Sequence, residues 1–383
     1  GYQGWFEYPG EGSGVNQWRH WANSANDPPG PGNLAFDLFP DMSEYTGSSL
    51  TSDTDLVYAN GSKAQLFTAY NVDTQDVHFR WMQENDLDGV FLQRFVNELS
   101  DPTLLAERNQ ILQNVMDRAA ARQRTFAIMY DTSGAGDDFL TVIQNDWWTL
   151  THSTTYVNPP LCNASYYQYH DGKPVVAVWG LGFTDHPGSP DDAYNTVNWF
   201  QINGYYFMGG VPYNWRTGDG DSQAGFSNAY AKMDMISPWS VGRYDSDTAF
   251  QSNYNNVAVP DKQLTDSRGQ GYAPVAFPGF SWSNLQNDPS DYNQIPRNGG
   301  DFYTTQLSSY VKDMQPTMVY IAMFDEVNEG TAIFKAANST DQLPTNAQFI
   351  WLGMDGQPCQ TDHYLKITSS YTSQMRQNQR PCC

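Results

Sequence analysis

Near the end of the chain, three carboxylates fall within five residues: Asp325, Glu326 and Glu329, in the stretch MFDEVNEGTAIFK at 323–335. An apolar run, VYIAM, leads into them. Cleavage of a glycosidic bond needs one group to protonate the leaving oxygen and a second carboxylate to act as nucleophile or base. Crowding acids under aromatic walls raises a pKa and keeps a proton available near neutral pH. On a continuing strand Glu326 and Glu329 would face opposite ways. In a turn, or in the first turn of a helix, they would share a face with Cβ atoms about 5–6 Å apart. The spacing leaves retention and inversion both open. The same E-x-x-E pattern also fits an acid-rich helix start with no chemistry. Asp325 suits either a sugar hydroxyl or a structural bond to loop amides or an arginine.

Such a pair needs elements to hold it. Apolar runs at 1–6, 89–95, 125–131, 174–180, 205–210, 236–242, 274–279 and 318–324 are nearly continuous, as in strands buried on both faces of a parallel sheet. Helical spacing recurs between them at 74–84, 103–124, 138–150, 190–202, 222–234 and 300–314. Asp101-Pro102 marks one helix start. A ninth run, QLFTAY at 65–70, is separated from the first only by a Gly/Pro/Ser-rich stretch, so it belongs to a long first loop rather than to a parallel crossover. Eight strand–crossover units predict an α/β fold, a single-domain (β/α)8 TIM barrel spanning 1–355 with long βα loops. Residues 356–383 are expected to form a tail packed on the barrel, helical near 361–376. No Gly-rich phosphate loop follows the first strand, which disfavours an open doubly wound sheet.

Active sites of this barrel class lie at the carboxyl ends of the strands. The residue types there are aromatic, amide and acidic. Glu326 and Glu329 are the catalytic candidates. Tyr213, Trp179, Trp215, Trp282, Asp131, Arg94, His20, Tyr70 and Asp325 are the candidates for holding substrate. Aromatic faces suit the C–H face of a sugar, and the amides and acids suit its hydroxyls. No pattern calls for a metal or a cofactor. The TGDGDSQAG segment at 217–225 lacks the register and terminal Glu of a calcium loop.

Composition agrees with a carbohydrate partner. Aromatic residues make up 15% of the 383, and charged residues only 16%. The formal net charge of −22 disfavours nucleic acid and anionic membranes as partners. No apolar run is long enough to span a bilayer. The chain starts at Gly1, consistent with a removed leader or a trimmed sequence. Sequons at Asn60, Asn163 and Asn338, together with four cysteines, suggest a secreted, N-glycosylated monomer with disulfides. Cys162, Cys359, Cys382 and Cys383 allow three pairings. Adjacent Cys382 and Cys383 would strain a mutual bridge, so one is expected to meet Cys359 and the other Cys162, tying the tail to the barrel.

The ordered phrases GYQGWF, W-x-HW, HFRWM, GVFLQRF, PWSVGRY, FPGFSW and MFDE-x-x-EGTAIFK resemble the clan of glycoside hydrolase families 99 and 71. They look closest to family 99-like proteins of the xylosidase/arabinosidase type. The resemblance covers the first strand to about residue 355 and implies a (β/α)8 barrel. It also implies a retaining hydrolase of α-linked glycans. Matched residue by residue, Glu326 is the base toward the substrate's own 2-hydroxyl and Glu329 is the acid/base. Between them Val327 and Asn328 stand where family 99 enzymes carry Trp and usually His. A family 71 type α-1,3-glucanase and a non-catalytic carbohydrate-binding barrel are the alternatives.

Overall fold

A computed structural model describes residues 1–378. In chain order the strands are β1 (Leu50–Thr51), β2 (Leu66–Phe67), β3 (Gly89–Phe95), β4 (Thr125–Asp131), β5 (Tyr169–His170), β6 (Lys173–Trp179), β7 (Tyr206–Val211), β8 (Met235–Pro238), β9 (Gly271–Tyr272), β10 (Val275–Ala276) and β11 (Tyr320–Ile321). The helices are α1 (Val72–Glu84), α2 (Pro102–Arg122), α3 (Phe139–His152), α4 (Pro190–Ile202), α5 (Ser227–Lys232), α6 (Asp247–Asn253), α7 (Val259–Ser267), α8 (Ser283–Gln286), α9 (Asp301–Ser308) and α10 (His363–Asn378).

The sheet runs parallel in the order β3-β4-β6-β7-β8-β9, and β10 pairs in parallel with β11. β9 and β10 are two halves of one barrel position, broken around Pro274, which has no N–H to donate. The first position carries little regular strand. Tyr2 bridges Leu92, the Gly1 ammonium donates to the Ile321 carbonyl at 2.7 Å, and Phe324 N–H donates to Gly1 O at 2.8 Å. These bonds close the barrel between β11 and β3. β1 and β2 form a small antiparallel pair inside the first loop, where the sequence places the 65–70 run without indicating a partner for it.

Side chains alternate along each strand, so one set fills the barrel and the other meets the helices. Val90, Leu92, Ile128, Val176, Val178 and Met208 are buried, as a sheet covered on both faces requires. Asp101 caps α2 by accepting from Thr103 and Leu104 N–H, and Ser189 caps α4 in a capping box with Asp192. Both ring nitrogens of buried His78 are hydrogen-bonded, one to Tyr2 and one to Tyr45. Burial holds its pKa down at about 3, so the ring is neutral and structural. A cavity of about 740 Å³ lies at the amino-terminal mouth of the barrel, between Gly1, Gly89, Val319 and α10. Neither Glu326 nor Glu329 lines it.

α10 packs on the barrel. The Arg297 guanidinium lies 4.4 Å from the Tyr364 ring centroid, and Arg376 pairs with Asp86 and Asp88. Burial and aromatic stacking therefore hold this helix. The expected disulfide staple is not supported, because Cys162 and Cys359 are free thiols. Cys382 and Cys383 lie outside the described residues. No described helix is long and apolar enough to cross a membrane.

Candidate active site

After β11 the chain leaves the sheet and folds into a turn that carries the three acids. Gly330 takes φ +61°, and a Cβ there would meet Ile350 Cδ1 at 2.9 Å. Only glycine allows the chain to reverse this tightly in that space. Glu326 and Glu329 therefore lie at the two ends of one turn rather than on a continuing strand.

Asp325 and Glu326 are fully engaged by the first barrel position. Asp325 accepts from Gln3 N–H at 2.8 Å and Gly4 N–H at 2.9 Å. Both of its oxygens are thus spent on backbone, which corrects its assignment as a substrate ligand. It clamps the first position to the eighth. Burial raises its pKa to about 6, against the pull of those amides. The Glu326 carboxylate accepts from Asn328 N–H at 2.8 Å, Glu329 N–H at 3.4 Å and the Gln3 side-chain amide at 3.1 Å. Among the described residues no hydrogen bond is made to the Glu329 carboxylate, which is half-buried, while its backbone oxygen accepts from Ser281 N–H at 2.8 Å.

This asymmetry matters for the protons. Burial raises both pKa values, and Glu326 is pushed further by the charges of Glu329 and Asp325. Glu329 is raised to about 7 by burial. Two crowded carboxylates hold a proton between them, and N–H donors favour the charged form of the group they contact. Three such donors surround Glu326 and none reaches Glu329. Those donors oppose the rise at Glu326, which burial and the neighbouring charges still push well above the ordinary value.

Asn328 ties this turn to the first loop. Its side-chain amide donates to His20 O at 2.5 Å and to Ala35 O. His20 stacks on Trp5 at 3.6 Å and 7°, and Phe95 stacks on Trp5 at 5.2 Å. Burial, with Arg19 and Arg108 nearby, keeps the His20 ring neutral. His20 therefore joins the wall of the site as a stacked ring rather than as a proton donor. Asp37 holds the opposite wall, accepting from the Ser281 hydroxyl and from Ser283 and Asn284 N–H at 2.9 and 2.8 Å. That fixes Trp282 between them, with its ring 5.1 Å from Phe280.

Further round the rim, Asp131 accepts from Ser133 N–H at 2.8 Å and from the Gln93 amide at 3.4 Å. Burial raises its pKa. Trp179 packs against Phe183, His186 and Trp239 at 4.7, 5.1 and 5.4 Å. Ser133 Oγ lies 3.2 Å from His186 Nε2. Tyr70 is half-buried at the edge of the first loop, where Glu11 and Glu107 raise its pKa further than burial alone does.

Three candidates point elsewhere. Arg94 grips Asp146 of α3 through Nε and Nη2 at 2.7 and 2.6 Å and reaches Asn109 of α2. Its parity on β3 is opposite to that of Gln93, so it faces the helices and cannot orient the acids. Trp215 is buried, donates to Asp261 of α7 at 2.9 Å and packs on Tyr230. It is core, not a sugar platform. The Tyr213 hydroxyl is spent on Asn253 of α6 at 2.6 Å, and Arg243 covers its ring. Sequence reasoning missed Gln3 and His186. Gln3 lies in the first apolar run, where Gly4 at φ +57° breaks strand alternation, so parity gave no signal for it.

No family model matches the chain. The glycoprotein endo-alpha-1,2-mannosidase-like protein of Danio rerio is 27% identical over 180 residues, covering 44% of this chain and 36% of that relative. The match thus spans little more than a third of the relative's length. Among solved structures, the GH99 endo-alpha-mannosidase from Bacteroides thetaiotaomicron in complex with bis-tris-propane superposes with TM-score 0.65 at 13% identity. That alignment covers 98% of this chain and 96% of the other. A second structure of that enzyme gives 0.63 at 14% identity over the same shares, and a glycoside hydrolase-like protein gives 0.58 at 15% over 88% and 94%. At such identities the likeness is one of fold. The barrel fold that the motif resemblance implies is the fold these structures share with the chain.

Proposed function

We propose that this protein is a glycoside hydrolase acting on an α-linked glycan with retention of configuration. The observation that carries this reading is the turn after β11, where Glu326 is held by three N–H donors and Glu329 by none. Glu326, as the anion, takes the proton of the substrate's 2-hydroxyl while that oxygen closes on the anomeric carbon. Glu329 gives its proton to the departing glycosidic oxygen. The cyclic intermediate then opens as Glu329 takes a proton from water, the water oxygen bonds to the anomeric carbon, and Glu326 returns its proton to the 2-oxygen. Microscopic reversibility gives the same two groups both halves of the cycle.

Trp5, His20 and Trp282 supply the walls against which a sugar ring packs, and Asp131 supplies an acceptor for a hydroxyl. The fold likeness to endo-alpha-mannosidases and the short Danio rerio match support an α-mannoside as the first substrate to test. Secretion with N-glycans belongs to the same proposal: Asn60 and Asn163 are exposed, whereas the Asn338 amide nitrogen donates to Cys359 O at 2.7 Å.

The test is incubation with a panel of α-linked mannans, α-1,3-glucans and oligosaccharides, following product release. Products from α-mannosides support the reading. Cleavage of α-1,3-glucan alone moves the protein to the family 71 type. Thermal stabilisation by a sugar without products identifies a binding barrel instead.

A further inference from the structure

Behind the Trp5–His20 wall lies a second set of acids that the proposed reaction does not use. Glu7 ends the first barrel position, Arg19 belongs to the first loop, Glu98 follows β3, and Glu107 and Arg108 lie on α2. Glu98 takes Arg108 Nε at 2.7 Å and Arg19 Nη2. Glu7 takes Arg19 Nη1 at 3.1 Å and Arg108 Nη2 at 3.4 Å. Two carboxylates thus meet two guanidiniums, and the charges balance. Glu107 is the third carboxylate. It is 1% exposed, and no N–H donates to either of its oxygens, although both arginines lie within 4 Å. Glu7 Oε2 is likewise without a donor. The two carboxyls converge on one nitrogen: Arg19 Nη1 lies 3.1 Å from Glu7 Oε1 and 3.7 Å from Glu107 Oε2.

We propose that Glu7 and Glu107 share one proton, and that this neutralised pair is a positioning device for the Trp5–His20 wall of the site. The proton sits on Glu107 and is donated to Glu7 Oε2. That bond gives Glu7 Oε2 its missing donor, engages one oxygen of Glu107, and leaves two charged carboxylates for two arginines. The link to the wall is short. Arg108 Nη1 donates to Gly4 O at 2.8 Å, next to Trp5. Glu7 and Arg19 pair through both backbone bonds at 3.2 Å, next to His20. A second negative charge on the pair would draw Arg108 off Gly4 O and Arg19 away from Glu7, loosening both contacts.

The groups facing the pair are Arg19, Arg108 and Glu98. Glu11 lies further out, bonded to Thr68 and Tyr8 N–H, with Tyr70 at its edge and His20 on the other side, held neutral. Burial and the charge of Glu7 raise Glu107 to about 9, against the pull of Arg108. The sign follows. Unfolded, Glu107 loses its proton near the ordinary value of 4.5; folded, it keeps the proton up to about 9. The native state binds the extra proton throughout that window, so stability falls as pH rises through it.

The experiment is chemical denaturation of wild type, Glu107→Gln and Glu7→Gln at pH 5.5, 6.5, 7.5 and 8.5. A glutamine at Glu107 mimics the protonated acid. Its folding equilibrium constant is expected to gain on wild type by up to about tenfold per pH unit. Glu7→Gln leaves two acids for two arginines, so it should show the same widening gap. The double variant leaves the arginines unmatched and should be the least stable at every pH. Parallel pH dependences for wild type and both single variants would show Glu107 ionised in the native state and overturn the proposal. The Trp5 contribution to near-ultraviolet circular dichroism, taken as the difference between each protein and the same protein carrying Trp5→Phe, should be preserved in Glu107→Gln and reduced in Glu107→Asp, whose shorter side chain falls away from Glu7. If Glu107→Gln does not fold, Glu7→Gln carries the test alone. All readouts are independent of glycosidase activity, so failure here and failure of the functional reading are distinguishable.

Discussion

Glu326 and Glu329 sit in one turn but in different surroundings, and the proposed mechanism divides the work between them along that difference. Glu329→Gln removes the acid while keeping its shape. Turnover on a natural glycosidic bond should fall by about 10²- to 10⁴-fold, with sugar binding retained, as single-turnover kinetics and calorimetry would show. Proton loss from Glu329 near pH 7 should also end activity on the alkaline side, giving a falling limb of kcat centred there in wild type. A substrate with an activated aryl leaving group needs no proton, so that limb should flatten. Arg94 makes the opposite case. Its partner is Asp146, so Arg94→Met should cost about 3–5 kcal/mol of stability by stranding a buried charge. KM should stay within about twofold for the fraction that folds, because the change lies outside the site.

At the scale of elements, the turn after β11 depends on its backbone. Gly330→Ala should destabilise the protein by about 1–3 kcal/mol, since it forces a Cβ into a left-handed conformation against Ile350. It should lower kcat more than it raises KM, because the acids move relative to each other. Much of this architecture is legible in the sequence. The continuous apolar runs at 89–95 and 125–131 are β3 and β4 to the residue, and the helix read at 190–202 is α4. α1 begins at Val72 rather than Thr74, because the Asn71 side chain caps it by accepting from Asp73 N–H. α6 and α7 were invisible: their stretch is rich in Asp, Asn, Gln and Ser and is interrupted by a π-helical turn at Tyr254–Ala258. Site residues were harder for a different reason. Aromatics after a strand can face the cleft or the helix layer, and composition does not say which. Trp282 and Trp215 look alike in sequence, yet Asp37 fixes one at the rim and Asp261 draws the other into the core.

The whole molecule is a barrel whose two long-range clamps converge on one mouth. Asp325 ties the eighth position to the first, and Asn328 ties it to the first loop across more than 300 residues of chain. Cutting the second clamp with Asn328→Ala should leave the barrel folded and increase protease cleavage within 9–63, as limited digestion and mass spectrometry would detect. The strongly acidic surface keeps anionic polymers away, which suits a neutral glycan. The most direct test of the central claim is proton NMR of the first product released from an α-linked mannooligosaccharide by wild type, run beside Glu326→Gln and Glu329→Gln. Products of retained α configuration from wild type, with loss of turnover in both variants, are what the proposed mechanism predicts. Inverted product, or full activity in either variant, would contradict it.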